Sequence, residues 1–303
     1  MSAIPEQYVP QDGRLFTVSM GLRALDIAQW FEIDTHYQSE IEQKRELYSS
    51  NLEQVFQVTE AGLAGSQETL ELIRDHLALH FPKVVGNLDS TAAAQVSQEH
   101  HPLLEASLLV QEDLCIMSHI GDQWVLTAAA VCFPSRWDLT QKIGTNLHEI
   151  HAPVPHYEER IGQATDAMFR KFTSDRPVWR INWTILDKPE LYQPATSHSS
   201  SPSNSGEGHV VVDEMSADLF ARSTYLRIER QTLRALPRSH DVLFTIRTYV
   251  DSLANVASAY PDFRTHLNET LAGVSPETLQ YKGWESLWNQ LHRWATLTPV
   301  ATP

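Results

Sequence analysis

Apolar positions recur at helical spacing in the first third of the chain and at strand spacing through its middle. Tyr37, Ile41, Lys44 and Tyr48 fall three or four apart, so they share one helix face on which only Lys44 is polar, with Asp34 placed as a cap. Leu70, Ile73 and Leu77 form the stripe of a second helix over about 66–80, with Ser66 as its cap and Pro82 beyond its end. Residues 86–107 show no period and read as loop. The period then changes. Residues 114–120 and 124–133 are apolar runs joined by Gly121-Asp122-Gln123, a hairpin signal. Pro134-Ser135-Arg136-Trp137-Asp138 breaks the second run, and Asp138 caps a short helix ending at Gly144. Pro153 and Pro155 exclude a continuous helix over 148–157, and another helix is predicted over about 161–172. Three more strands follow, at 178–186, 225–233 and 242–250, with 237–241 as the turn between the last two. Residues 193–208 collapse to Ser, Pro, Gly and Asn, a surface insertion between strands. Trp284, Leu287, Trp288 and Leu291 make one helical face near the end.

This order predicts an α+β fold with a five-stranded antiparallel sheet in a single domain. Helices flank it on the N-terminal side (about 24–82) and on the C-terminal side (about 251–296).

Composition narrows the function. Of 303 residues, 42% are hydrophobic and 20% charged, ordinary globular usage that excludes a disordered chain. Lys and Arg total 23 against 38 Asp and Glu, a net charge of -15 with His neutral, which disfavours nucleic acid and anionic lipid as partners. Two cysteines, Cys115 and Cys132, both in apolar runs, are too few for a four-thiolate metal site and read as core residues in a reducing compartment. Neither a secretory signal nor an apolar span of about 20 residues is visible, so a soluble cytoplasmic protein is predicted.

Several stretches invite chemistry. His148-Glu149-Ile150-His151 lacks the spacing of a zinc protease, whose two His stand four apart on one helix; here they stand three apart. One of His148, His151 and His156 could ligate haem iron, for which a single imidazole and an apolar pocket suffice. The bland alternative is a His in a Pro-rich surface loop. In Arg227-Ile228-Glu229-Arg230-Gln231-Thr232-Leu233, a period of two puts Arg227, Glu229 and Gln231 on one side and Ile228, Arg230 and Thr232 on the other. The bland reading is an edge strand with a solvated face. The functional one is a polar pocket wall, because Arg, Glu and Gln facing inward need partners or a ligand. Arg180 and Asn182 alternate in the same way between Trp179, Ile181 and Trp183, which read as core. The acidic pairs Glu112-Asp113 and Glu158-Glu159 read as solvated charge. No dinucleotide fingerprint, phosphate loop or nucleophile elbow is present.

Taken in order, a set of short motifs resembles the α-subunit-like proteins of haem-dependent oxidative N-demethylase, a family that includes dimethylamine monooxygenase subunits. They are Phe16-Thr17-Val18-Ser19-Met20-Gly21-Leu22, Cys132-Phe133-Pro134-Ser135-Arg136-Trp137, Lys142-Ile143-Gly144, Ile150-His151-Ala152-Pro153-Val154-Pro155-His156-Tyr157, Arg180-Ile181-Asn182-Trp183, the run Leu226 to Pro237, and Tyr281-Lys282-Gly283. The resemblance implies a PAS-like sheet that holds haem b and, with dioxygen, oxidises a methyl group of a secondary amine such as dimethylamine; the carbinolamine then collapses to formaldehyde and the demethylated amine. Electrons would come from NADPH through flavin and an iron–sulfur cluster on a reductase or ferredoxin-type partner. By motif position the resemblance implies His151 as the axial iron ligand, with His156 the alternative, and Glu229 as counter-charge to the substrate ammonium. Arg227 and Arg230 would be its partners, and Lys142, Arg136 and Arg180 would serve the haem propionates. A non-catalytic haem or small-ligand-binding sensor, or a scaffold protein, of the same fold is the competing expectation, since fold alone does not transfer a substrate.

Overall fold

The apolar runs of the middle and late chain become strands because their alternation suits a sheet covered on both faces. The computed structural model describes residues 3–10, 21–84, 101–157, 162–195 and 215–296. In chain order the strands are β1 (Arg23–Ala24), β2 (Phe56–Val58), β3 (Asp113–Ile120), β4 (Gln123–Ala130), β5 (Ser135–Trp137), β6 (Val178–Leu186), β7 (Gln193–Pro194), β8 (Tyr225–Ala235) and β9 (Val242–Ser252). The main sheet runs β1-β6-β8-β9-β3-β4-β2 and is antiparallel throughout, while β5 and β7 pair in parallel apart from it.

The sheet therefore has seven strands where the sequence predicted five. The two additions, β1 and β2, are edge strands of two and three residues, too short to show any alternation. The five long strands coincide with the five predicted runs, and numbered among themselves they lie in the order second, first, fifth, fourth, third. Residues 131–177 cross from β4 on one side of the sheet to β6 on the other. Over one sheet face this crossover lays Leu139, Leu147, Phe169 and the partly buried Trp137, Ile143, Ile150 and Phe172, which pack on Cys115, Met117, Leu233, Val178 and Phe244.

The opposite face is covered twice. Trp30, Phe31 and the helices Leu63–His80 and Pro102–Ser107 pack on Leu114, Ile116, Ala128 and Ala130. Residues 4–9 and the C-terminal helices pack on Ile185, Leu226 and Ile228. Trp179, Ile181 and Trp183 lean on the latter cluster, as their alternation predicted.

Five local features change these expectations or add to them. Lys44, the polar exception on the helix Tyr37–Ser50, is fully buried, and its ammonium donates to the carbonyls of Ser107, Val110 and Glu112 at 3.2, 3.0 and 2.6 Å. Glu112 and Asp113 are not solvated charge; both are fully buried. Asp113 accepts the backbone N–H groups of Cys132 and Phe133, each at 2.9 Å, and so fixes the exit of β4. Ser66 lies inside the helix Leu63–His80 and donates to Gly62 O instead of capping it. The C-terminal face is interrupted at Gly283, whose left-handed φ of 66° ends the helix Pro276–Lys282, and the last helix starts at Trp288. Part of the predicted loop, Pro102–Ser107, is helical; residues 85–100 lie outside the described residues, as do 196–214 of the Ser-rich stretch, Glu158-Glu159 and the motif residues 16–20.

Beyond Trp179, β6 has no strand on its outer side among the described residues, because β1 pairs only with Val178 and Trp179. Side chains from the C-terminal layer take over: Lys282 Nζ donates to Trp183 O at 2.8 Å, and the buried Trp284 indole donates to Ile185 O at 3.0 Å and Thr184 Oγ1 at 3.1 Å. The edge is thus covered at Trp183 and Ile185, whose carbonyls accept these donors.

Candidate functional site

Strand register builds the polar wall. Opposite Gln231, Glu229 and Arg227 of β8 stand Arg180, Asn182 and Thr184 of β6, so the pairs project alternately toward the face covered by the crossover. β8 lies between β6 and β9, with Arg227 0% and Glu229 8% exposed, which rules out a solvated edge strand. Glu229 is held on both oxygens: Oε1 accepts from Arg227 Nε at 3.1 Å, and Oε2 accepts from Asn182 Nδ2 at 3.0 Å and Gln231 Nε2 at 3.1 Å. Arg227 is fixed in turn by Leu191 O, Phe133 O and Thr248 Oγ1. Arg180 is different. Its Nε is buried with no hydrogen-bond partner, and burial pulls its pKa down against the opposing pull of Glu229.

The crossover supplies the histidine. Asn146 and Glu149 form a capping box that starts the five-residue helix Leu147–His151. At its end, His151 Nδ1 donates to Leu147 O at 2.8 Å, since a carbonyl can only accept. The ring stacks on the buried Tyr157 with centroids 4.6 Å apart and planes within 6°. Burial, joined by the charges of Arg180, Lys142 and His148, lowers the His151 pKa and favours the neutral imidazole. With Nδ1–H committed, the ring's lone pair is on Nε2. Lys142 donates to Ile150 O at 2.9 Å, and burial lowers its pKa too.

The remaining candidates fall elsewhere. His156 is exposed and sits at a left-handed φ of 59°. Arg136, with φ of 58°, forms an ion pair with Asp187. Arg230 points to the opposite sheet face, where it donates to Trp30 O and Gln29 O and lies 3.4 Å from Glu32. The structure thus brings Arg180, Glu229 and Arg227 onto one wall near His151 and Lys142, and leaves Arg230 out.

Two groups here carry no role in the sequence reading. Lys282 and Tyr281 both feel the charge of Glu229, and burial pulls Lys282 down to about 8 while it raises Tyr281. Their signal was the motif Tyr281-Lys282-Gly283; nothing local separates such a lysine from a solvated one at a helix end.

A family model described as haem-dependent oxidative N-demethylase, alpha subunit-like, matches residues 21–292. The chain belongs to this family. Haem dependence and oxidative N-demethylation are thus the family's stated character, and the subunit description implies a partner. The site suits that cofactor. Haem iron needs only one imidazole, and His151 is placed to offer one. The Arg180 guanidinium, whose buried Nε has no hydrogen-bond partner, and a second cation, Lys142, match two propionates, and the cluster around Leu139, Phe169 and Phe244 offers apolar neighbours. No helix among the described residues is long and apolar enough to cross a membrane.

Proposed function

We propose that this chain is the haem-holding subunit of an oxidative N-demethylase that acts on a small secondary amine such as dimethylamine and releases formaldehyde. The observation that carries the reading is the pairing, beside one sheet face, of an oriented imidazole at His151, whose pKa burial lowers, with Arg180, whose buried Nε has no hydrogen-bond partner. The five long strands and the crossover form a cup of PAS-like order, with the site between sheet and crossover. Residues 1–303 act as a single unit in this reading.

Bound haem b would supply dioxygen activation and the oxidation of the N-methyl carbon. The chain's own residues do the rest. His151 Nε2 would hold the iron, with the exposed His156 as the alternative. Arg180 and Lys142 would hold the propionates, with Arg136 available only if it leaves Asp187. Glu229 receives the substrate ammonium. A carboxylate offers about four acceptor sites, and three donors occupy Glu229, so one direction stays open for an ammonium N–H. The Arg227 contact keeps this carboxylate pointed. Electrons come from NADPH through a flavin and iron–sulfur partner, and the acidic surface suits a basic docking face.

The test is an absorption spectrum of the purified protein, expressed with haem precursor, before and after dithionite. A Soret band that His151→Ala shifts or abolishes is expected, followed by formaldehyde release from dimethylamine when reductant is supplied. No band after added hemin overturns the reading. Haem retention without formaldehyde from any amine points instead to a sensor of the same fold.

A further inference from the structure

The sheet face away from the site carries a short chain of aromatic rings that the proposed function does not use. Trp179 stands on β6 one residue before Arg180, so strand alternation puts its ring directly behind the polar wall. Tyr8, from the N-terminal segment, meets Trp179 edge-on, with ring centroids 5.8 Å apart and planes at 66°. Tyr249 of β9 lies 5.9 Å from Tyr8 in turn, and both tyrosines are buried. The two phenols share one base. Tyr8 Oη donates to Glu32 Oε1 at 2.5 Å, and Tyr249 Oη donates to Glu32 Oε2 at 2.9 Å. Phenylalanine at either position would serve packing alone. The hydroxyls converge instead on a single carboxylate, which is placed to take a phenolic proton.

We propose that Trp179 and Tyr8 form a one-electron relay leading away from the site, with Glu32 as the acceptor of the Tyr8 proton. The inference rests on the proposed haem chemistry for its oxidant, a one-electron oxidant of the class that haem forms with peroxide. Its use is to discharge that oxidant when no amine is bound. Charge sets the direction. The guanidinium carbons of Arg23 and Arg230 stand 5.3 and 5.8 Å from the centre of the Trp179 ring, and a ring that has lost an electron is repelled by cations that the neutral ring attracts. Tyr8 escapes this penalty because it gives up its proton as it is oxidised. Arg247 stands 4.5 Å from the centre of the Tyr249 ring and disfavours positive charge there, so the part of Tyr249 is to hold the second Glu32 oxygen. Arg230 Nε, 3.4 Å from that same oxygen, fixes the base from the other side. At rest the proton stays on the phenol, since burial and the Glu32 charge push the Tyr8 pKa up to about 12.

The electrons and protons balance. Trp179 gives one electron to the oxidant and becomes a radical cation, and one electron from the Tyr8 ring restores it. The phenolic O–H proton moves to Glu32 Oε1 and leaves a neutral phenoxyl radical. One electron from ascorbate, or from the partner that feeds the haem, together with the proton held by Glu32, returns the phenol.

The chain has nine tyrosines, so the radical is assigned by substitution. In a first arm the full chain without haem is oxidised by flash-generated ruthenium(III) tris-bipyridine and frozen. The tyrosyl radical is then counted by electron paramagnetic resonance, with ring-deuterated tyrosine to identify it. Tyr8→Phe keeps the ring and should lose most of the signal. Glu32→Gln keeps an acceptor for both hydroxyls but removes the base, and should lose it as well. A signal unchanged in Tyr8→Phe overturns the proposal, and so does one that only Tyr249→Phe abolishes. In a second arm the haem-loaded protein is mixed with hydrogen peroxide in the absence of amine and freeze-quenched. The same radical is expected, with a lower yield in Trp179→Phe. An unchanged yield in that variant, or bound haem with no radical at Tyr8, overturns the relay and leaves amine demethylation untouched. The first arm needs neither haem nor amine, so Tyr8 stands or falls there even if formaldehyde release is never seen.

Discussion

Glu112 shows how much one buried carboxyl carries. Its Oε1 accepts Glu32 N–H at 2.9 Å while Oε2 is buried without a partner, and burial lifts its pKa to about 7. The folded state therefore holds this proton more tightly than the unfolded chain, whose ordinary value is 4.5. The contribution to stability is greatest below pH 4.5 and declines as pH rises to about 7. Glu112→Gln should remove that decline and leave the variant more stable than wild type by about 1–3 kcal/mol at pH 8, with the difference shrinking toward pH 4.5. Urea unfolding across that range reads it, and parallel curves for the two proteins would refute it. At Glu229, substitution by Gln keeps the hydrogen-bonding shape but removes the charge. Haem should be retained and the amine-induced spectral change should weaken at least about tenfold, the scale of a lost charge-assisted contact. Unchanged amine affinity would sink the role given to this carboxylate.

Elements are held by contacts that no local pattern advertises. Strand β4 carries an extra residue at Thr127 relative to β3, since Ile116 faces Ala128 and Met117 faces Leu126. The turn at Gly62 rests on this bulge: a Cβ there would stand 2.6 Å from Thr127 O and 2.7 Å from Ala128 Cβ. Gly62→Ala must displace backbone and should destabilise by ~1–3 kcal/mol, measured as a fall in the denaturation midpoint at constant m. On the far edge, Trp284→Phe preserves most of the buried ring but removes both bonds to β6. A loss of about 1–3 kcal/mol is expected, because a carbonyl and a hydroxyl lose their donor in a buried setting. A neutral result would mean that the edge finds other partners.

At the scale of the whole molecule, the sheet lies between two layers of different kind. One face carries a thick apolar cover of N- and C-terminal elements, and the other carries the crossover with the polar wall and His151. A ligand that fills the second interface stabilises the fold by mass action. Haem at a hundredfold excess over its Kd should add about 2.7 kcal/mol and raise the melting temperature, and His151→Ala should remove most of that rise while leaving the cofactor-free melt close to wild type. Thermal denaturation with and without hemin checks both halves.

The sequence by itself determined the five long strands, the crossover between the second and third, the alternation on β6 and β8, and the motifs that mark the family, because each is written in period-two patterning or in short contiguous runs. It misread Glu112 and Asp113 and gave the inward-facing Lys44 no partner, since a charged residue announces no partner when that partner is a backbone group far along the chain. The short strands β1 and β2 escaped for a related reason: two or three residues have no period, and only their neighbours make them strands. Lys282 and Trp284 became edge caps only when the C-terminal layer folded back on β6. Long-range packing alone decided which polar groups are buried, which are satisfied, and that Arg180 is left with a donor to offer.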